Sequence, residues 1–409
     1  MREDLAGRAR RDVIHAAHSG ADWVTMTDEM GAAIRKAIPF DFHAWHTMDP
    51  ATLIFTGVVA REGTSDTQLN DPDSCRWLAH CEYGIRDVIQ WSFLARRSYP
   101  VGVLSQATHG NPEISPRYRQ MLKPLGFEGE LRASFVRDGN CWGAVSFCRD
   151  RTKPDFDAQE ANFLASLSAP IADGFRRALL VRATLHEVAP ESPGMVVIDG
   201  NGALESVTEG ALRWMGELIE DRPNRGVLPA VLEAVAARAR HAGTMEGRPE
   251  QSARARTYTR SGRWLVVHGM RLQSGDEDRI GLIIEPARAY EIAPIILSAN
   301  GLTERERHVA QQVITGTSTE GIARRLNISA NTVQDHLKAI FEKAGVRSRR
   351  ELVAKVFFED YRPRTQSGET LGASGWFSQS PPDRSGAGDD QGNHGGPQRN
   401  HRIRKVDAP

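Results

Sequence analysis

The stretch Ile328–Val346 sets Val333, Leu337, Ile340, Phe341 and Ala344 at helical spacing, which makes one apolar face for a core. The opposite face carries Asn331, Gln334, Asp335 and Lys338, whose amide, carboxylate and ammonium groups all form hydrogen bonds. A row of that kind suits the reading of another polar surface, such as base edges in a duplex, rather than the breaking of a bond. Elsewhere the chemistry-bearing types are scattered. His43 and His46 are three apart on a predicted strand, so they point to opposite faces and do not chelate one metal. Cys141 and Cys148 differ by an odd number, so on a straight strand they too face opposite ways, and Cys75 and Cys81 lack zinc-type spacing. All four read as small buried hydrophobes. No phosphate loop, HExxH, nucleophile elbow or receiver domain is present, so neither a metal nor a cofactor is implied and no enzyme is expected.

The polar row has to be held by its neighbours. Thr303 and Glu306 make a capping-box pattern for a helix that runs to about Ile314 and ends at Gly316. Ser318 or Thr319 caps a short helix with Ile322, Ala323 and Leu326 inward, and Asn327-Ile328 forms a tight connection. Ser329 caps the helix bearing the polar row, Gly345 ends it, and Ser348 caps a fourth helix with Leu352, Val353, Val356 and Phe357 inward. A short helix, a tight turn and a second helix with a polar outer face make a helix-turn-helix, whose second helix fits a major groove. From Lys338 to Arg350 the basic residues Lys338, Lys343, Arg347, Arg349 and Arg350 face one acid, Glu342, a net of +4 suited to phosphates.

Leu302-Thr303-x-Arg305-Glu306, Ile322-Ala323, Leu326, Ser329, Thr332-Val333, His336, Ile340, Lys343, Gly345-Val346 and Arg349 resemble the DNA-binding domain of LuxR/FixJ-type bacterial transcription regulators over about 60 residues. The resemblance implies base contacts from Gln334, Asp335, Lys338 and Asn331. It implies phosphate or scaffold roles for Ser318, Thr319, Ser329, Thr332, His336, Lys343, Arg347 and Arg349. Asp335 either accepts from cytosine N4 or repels phosphate and narrows the choice of site. For His336 a half-buried brace is the plainer reading.

Upstream, Ala21–Ile38 reads as a helix, Phe42–Met48 and Leu53–Ala60 as strands, and Asp71–Arg97 as one helix weighted with Trp77, Tyr83, Trp91 and Phe93. Arg137-Asp138-Gly139-Asn140 between Leu131–Val136 and Cys141–Cys148 signals a hairpin. Asp157–Ala183 is a long helix interrupted by Pro170, with Phe163, Leu164, Leu167, Ile171, Phe175 and Leu179 in one stripe. After a Pro-rich break at 189–193 come two strands, two helices and three strands. The first segment, through FDFHAWHTMDPATL, FVRDGNCWGAVSFCRD and the long helix, resembles a GAF domain. The second, through GMVVIDGNGALESVTEGALRWMGEL and its closing strands, resembles a PAS domain. Such domains fold around a cavity for a small-molecule signal, and Trp45, His46, Trp77, His80 and Trp91 are candidates to line one, although core packing is the commoner use of such residues.

The expected architecture is therefore multidomain: an α+β GAF-like domain over 1–185, an α+β PAS-like domain over 193–286 and a linker over 287–299. An all-α, four-helix LuxR-type helix-turn-helix domain follows over 300–361, and a disordered tail over 362–409, rich in Gly, Ser, Pro and Gln. Composition is globular, with 40% hydrophobic and 25% charged residues, and formal net charge is zero, so any pull toward DNA is local. The N-terminal MREDLAGRARRD lacks the apolar core of a signal peptide and no apolar run spans a bilayer, so a cytoplasmic, membrane-free protein is expected. The reading is a regulator that binds double-stranded DNA as a homodimer, the stripe on the long helix helping to pair two copies. The alternatives are a sensor whose helical domain docks on RNA polymerase, and a redox enzyme using Cys141 and Cys148.

Overall fold

The computed structural model describes residues 3–61, 72–182, 192–218, 228–241, 253–274, 277–353, 355, 370–371 and 377–378. The first lobe opens with helices α1 (Glu3–His18) and α2 (Trp23–Arg35), the latter capped by Asp22, whose carboxylate accepts from the Val24 and Thr25 amides. Strands β1 (Phe42–Met48) and β2 (Phe55–Arg61) follow, then α3 (Pro72–Tyr83), α4 (Trp91–Leu94), β3 (Val101–Val103) and α5 (Leu104–Ala107). The lobe closes with β4 (Phe127–Arg137), β5 (Asn140–Asp150), α6 (Ala158–Ser166) and α7 (Ser168–Arg182). Its antiparallel sheet has the order β2-β1-β5-β4-β3. The second lobe comprises β6 (Gly194–Ile198), β7 (Leu204–Val207), α8 (Glu209–Leu218), α9 (Ala230–Arg240), β8 (Arg254–Tyr258), β9 (Trp264–Ser274) and β10 (Glu277–Pro286). Its sheet order, β7-β6-β10-β9-β8, repeats that of the first. Both are the sheet-plus-helix α+β layout expected of the two upstream segments.

α9 is apolar nearly all round, and Val231, Leu232, Val235 and Ala239 are buried. Such a helix has to be covered on every side. It lies between its own sheet and the first lobe's β2 and α3, so one apolar cluster runs from Phe55, Tyr83 and Trp91 into Val235, Val267 and Leu282. A buried ion pair fixes the same joint: Arg256 on β8 donates to the fully buried Asp49 carboxylate at 2.7 and 3.0 Å.

Several elements differ from the sequence expectation. The helix expected over 71–97 is broken: α3 ends at Tyr83, and Gln90 Nε2 donates to the carbonyls of Cys81, Glu82 and Ile85, satisfying the helix end. The 157–183 helix breaks at Leu167 rather than at Pro170, which sits in the first turn of α7 where a missing N–H costs nothing. Its stripe does not face a second copy. Phe163, Leu164, Leu167, Ile171, Phe175 and Leu179 are all buried in the first lobe's core, so a dimer through that stripe is ruled out. On β5, Phe135 pairs with Gly143 but Val136 with Cys141, leaving Trp142 as a bulge residue. The bulge resets the alternation, so Cys141 and Cys148 lie on the same side of the sheet, not on opposite sides. Seven residues at about 3.3 Å each still keep the two thiols about 20 Å apart.

The expected linker is a helix, α10 (Ala289–Ala299). Helices α11 (Glu304–Ile314), α12 (Thr319–Leu326) and α13 (Ala330–Ala344) follow, and residues 349–353 are helical. Val356 and Phe357, expected inward on that last helix, lie outside the described residues, as does the tail apart from Thr370–Leu371 (β11) and Phe377–Ser378 (β12), which pair antiparallel. Among the described residues no helix is long and apolar enough to cross a membrane.

Candidate nucleic-acid interface

Val309, Ala310, Val313, Ile322, Val333, Leu337, Ile340 and Leu352 meet in one core, which also takes in Ala293 and Leu297 of α10. Local chemistry sets each joint. Thr303 Oγ1 accepts from the Glu306 amide while the Glu306 carboxylate accepts from the Thr303 amide at 2.7 Å, a capping box. Ser318 Oγ accepts from the Gly321 amide and Ser329 Oγ from the Thr332 amide. Asn327 turns the chain between α12 and α13 at φ +53, a left-handed conformation that asparagine tolerates. Gly345, at φ +63, ends α13.

With its inner face buried, α13 leaves Asn331, Gln334, Asp335 and Lys338 all exposed on the other. They stand at i, i+3, i+4 and i+7 and span about 10 Å of helix axis. None of these four side chains has a hydrogen-bond or ion-pair partner among the described residues, and neither sheet lobe covers them. Thr332 and His336 are half-buried at the flank of this row, and Thr332 Oγ1 is 2.8 Å from Ser329 Oγ.

The cations divide into two sets. Lys343 donates to both Glu306 oxygens, at 2.9 and 2.7 Å, and ties the end of α13 to the start of α11. Burial pushes the Glu306 carboxyl up, but the Lys343 ammonium and the Thr303 donors outweigh it and hold the group below its ordinary value. Arg349 donates to the Thr317 carbonyl and to Thr319 Oγ1, both at 3.2 Å, bracing the start of α12. These two cations, with the capping hydroxyls of Ser318 and Ser329 and the Arg349-bound Thr319, are engaged within the domain. Lys338, Arg347 and Arg350 are exposed, and their side chains have no partner among the described residues. Arg324 on α12, which the charge count missed because it precedes Lys338, belongs with them.

Residues 300–356 match the family model for bacterial regulatory proteins of the luxR family. The chain is similar to the monoamine regulon transcriptional regulator of Klebsiella aerogenes, 45% identical over 56 residues, which is 14% of this chain and 25% of that protein. It is also similar to the transcriptional regulatory protein DesR of Bacillus subtilis, 39% identical over 57 residues, 14% of this chain and 29% of that one. The chain thus spans between a quarter and a third of the length of these curated relatives. Among solved structures, the GAF domain of a phosphoenolpyruvate-protein phosphotransferase from Coxiella burnetii aligns at 11% identity and a TM-score of 0.28, covering 44% of this chain and 96% of that one.

The five candidate ligand-lining residues upstream fall in three separate places rather than around one space: Trp45 by itself, His46 with Trp91, and Trp77 with His80. Trp45 faces the helical core of the first lobe and donates to His43 Nδ1 at 2.8 Å. His46 points to the other face and lies 4.1 Å, ring to ring, from Trp91. Trp77 is 41% exposed and meets His80 edge-on. His80 also sits against His241 of the second lobe. The space beside Trp91 is filled by buried charge: Arg132 stacks over Trp91 at 3.7 Å and pairs with Glu82 at 3.0 Å, and Arg117 pairs with Glu130 at 2.8 Å and Asp87 at 3.2 Å. Charges that deep need partners, and each has one. Burial pushes the thiols of Cys81 and Cys141 up to about 12 and that of Cys148 well above its ordinary value, so these thiols stay protonated and are poor nucleophiles. Among the described residues no group of three or more His, Cys, Asp and Glu is placed to hold a metal.

Proposed function

We propose that the chain is a cytoplasmic, sequence-specific transcription regulator that reads double-stranded DNA with α13. The carrying observation is the exposed, unpartnered row Asn331, Gln334, Asp335 and Lys338 on a helix capped at both ends and seated on its own core. In the major groove these side chains face base edges: Gln334 and Asn331 suit adenine, Lys338 suits guanine, and Asp335 suits cytosine N4. Arg347, Arg350 and Arg324 flank the row as phosphate partners, and the hydroxyls of Thr332 and Ser329 stand where α13 enters the groove. Lys343 and Arg349 act by bracing this surface. The match of 300–356 to the luxR family supports the reading.

The sheet lobes hold the signal-sensing role, and two copies bind two half-sites. The row on α13 is uncovered, so regulation works through the placement of the helical domains rather than by masking the row. The test is selection of a randomised duplex pool by the full chain. An enriched motif is expected, and recovery of an unbiased pool contradicts sequence-specific reading.

A further inference from the structure

The two sheets share a strand order but not their cover. The first is packed on both faces: Val145 and Phe147 of β5 lie in the core with α7, and Cys141 and Ala144 in the cluster that takes in α9. In the second sheet, Val196, Val267, Leu282 and Ile284 face α9. Its opposite face is covered at one end, where Trp264 and Val266 join a core with Ile292, Ile295 and Ile296 of α10. Beyond that end Met195 and Met270 are 49% and 41% exposed, and Val197, Ile283 and Leu272 are half-buried. A continuous apolar patch of this kind, rimmed by polar groups, marks an interaction site.

The middle strand of the patch narrows what fits it. β10 turns Ile280, Leu282 and Ile284 toward α9, so Arg279, Gly281, Ile283 and Glu285 line the open face. The stripe reads cation, gap, bulk, anion. Glycine inside a strand often marks the close approach of another surface. Gly143 on β5 is such a place, since a Cβ there would meet the Phe175 ring of α7 at 2.5 Å. At Gly281 the atoms nearest a Cβ belong to Leu272 of the same sheet, at 3.2 to 3.3 Å. Laid against its own reverse, the stripe complements itself: cation meets anion and bulk meets gap. We propose that this face pairs two copies of the chain about a two-fold axis, the two β10 strands antiparallel, with Ile283 of each over Gly281 of the other and Arg279 beside Glu285. Arg279 already donates to Glu205 at 2.6 Å, and Glu285 lies 3.2 Å from His268 Nε2. Their side chains are still 26% and 33% exposed, which leaves each open to a second partner.

From Arg279 to Glu285 the stripe is about 20 Å long, and β6, β10 and β9 together are about 15 Å wide. The area, roughly 300 Å² per copy, is well under the ~800 Å² per partner of a standard interface, so the pairing is weak and reversible. β10 runs into α10, whose Ala293 and Leu297 belong to the core under α13. Pairing the two β10 strands therefore sets where two reading helices stand. That consequence rests on the proposed DNA-reading function; the self-association does not.

The test uses the full chain without DNA, ¹³C-labelled at its methionine methyls, in a dilution series starting at about 300 µM. Sedimentation is expected to show a reversible dimer. The Met195 and Met270 methyl signals, assigned through Met195→Leu and Met270→Leu, are expected to shift along the same series. Arg279→Glu and Glu285→Arg each place like charges together twice across the axis, so each variant should self-associate at least threefold more weakly. An equimolar mixture of the two variants restores both attractions and should associate more tightly than either alone. A monomer at the highest concentration overturns the proposal, whether the face is bare or covered by another part of the same chain. So does a dimer whose two methyl signals stay fixed on dilution, or a mixture no tighter than the single variants. A monomer that still selects a duplex motif leaves the DNA reading standing, and a dimer with no affinity for duplexes leaves this inference standing.

Discussion

Replacing Lys343 by alanine leaves the Glu306 carboxylate, 8% exposed at its side chain, with no cation hydrogen-bonded to it. Hydrogen bonds to charged groups are each worth about 1.5–3 kcal/mol. The Lys343 side chain is 36% exposed, so solvent screens part of that gain. The Thr303 amide still donates to Glu306 in the variant, which limits the loss further. The expected cost is about 1–2 kcal/mol, confined to the helical domain. In the parent protein the Glu306 pKa is held down, so its contribution is present at neutral pH and lost as pH falls through the depressed folded value. Lys343→Ala removes most of that acid-dependent loss along with the stability. Because a multidomain chain need not unfold in one step, the assay is native-state hydrogen exchange of α11 and α13 amides. A cycle with Glu306→Gln, which keeps the cap acceptor and removes the charge, is expected to give a coupling of at least about 1 kcal/mol. Unchanged protection in Lys343→Ala, with a uniform loss of affinity for all duplexes, would mean that Lys343 touches phosphate and that the bracing role is wrong.

Other perturbations separate the remaining roles. Gln334→Ala is expected to cost about 1–3 kcal/mol at one base pair and to relax preference there, measured by affinity for single-base duplex variants; an unaltered preference removes Gln334 from the base-reading set. Arg347→Ala or Arg350→Ala should weaken all duplexes alike and flatten the logarithmic salt slope by about 1, whereas a sequence-selective loss would assign a base contact instead. The first lobe should be acid-sensitive. Burial, with the nearby Arg35 and Arg61 charges, lowers His43 to about 3, and burial with Arg132 lowers His46 well below its ordinary value. Both protonate near pH 6.5 when unfolded, so stability is full above that value and falls as pH drops from it toward 3, by up to about 1.4 kcal/mol per unit for each histidine. A urea midpoint for that lobe that stays flat between pH 7 and pH 5 would contradict this.

What near neighbours decide is legible in the sequence. The Thr303–Glu306 capping box, the Asp138-Gly139 turn with φ of +51 and +74, the left-handed Asn327 and the buried stripe of α13 all follow from residues within a turn or two. Exposure of Asn331, Gln334, Asp335 and Lys338 follows from the same periodicity. What distant partners decide is not legible. Lys343 counts as a free cation until Glu306, 37 residues away, is seen beside it. Arg132 reaches Glu82 across 50 residues, and no local pattern signals that these charges fill the space beside Trp91. The Trp142 bulge hides because alternation assumes a straight strand, and it reverses the expected geometry of Cys141 and Cys148. α10 reads as a linker between Pro286 and Pro294, yet its two sides are claimed by two different cores. The same sharing means that a fragment beginning at Gly301 would lack Ala293 and Leu297 from the core under α13, so DNA binding is best measured on the full chain.

The central claim is that the outer row of α13 meets a duplex. Its most direct measurement is the equilibrium affinity of the full chain for a motif-bearing and a scrambled duplex between 50 and 200 mM salt, alongside the Gln334→Ala/Lys338→Ala double variant. The account predicts a log-linear fall with salt and tighter binding to the motif, with that preference lost in the double variant. Absence of affinity for any duplex at the lowest salt, or an undiminished preference in the variant, would contradict it.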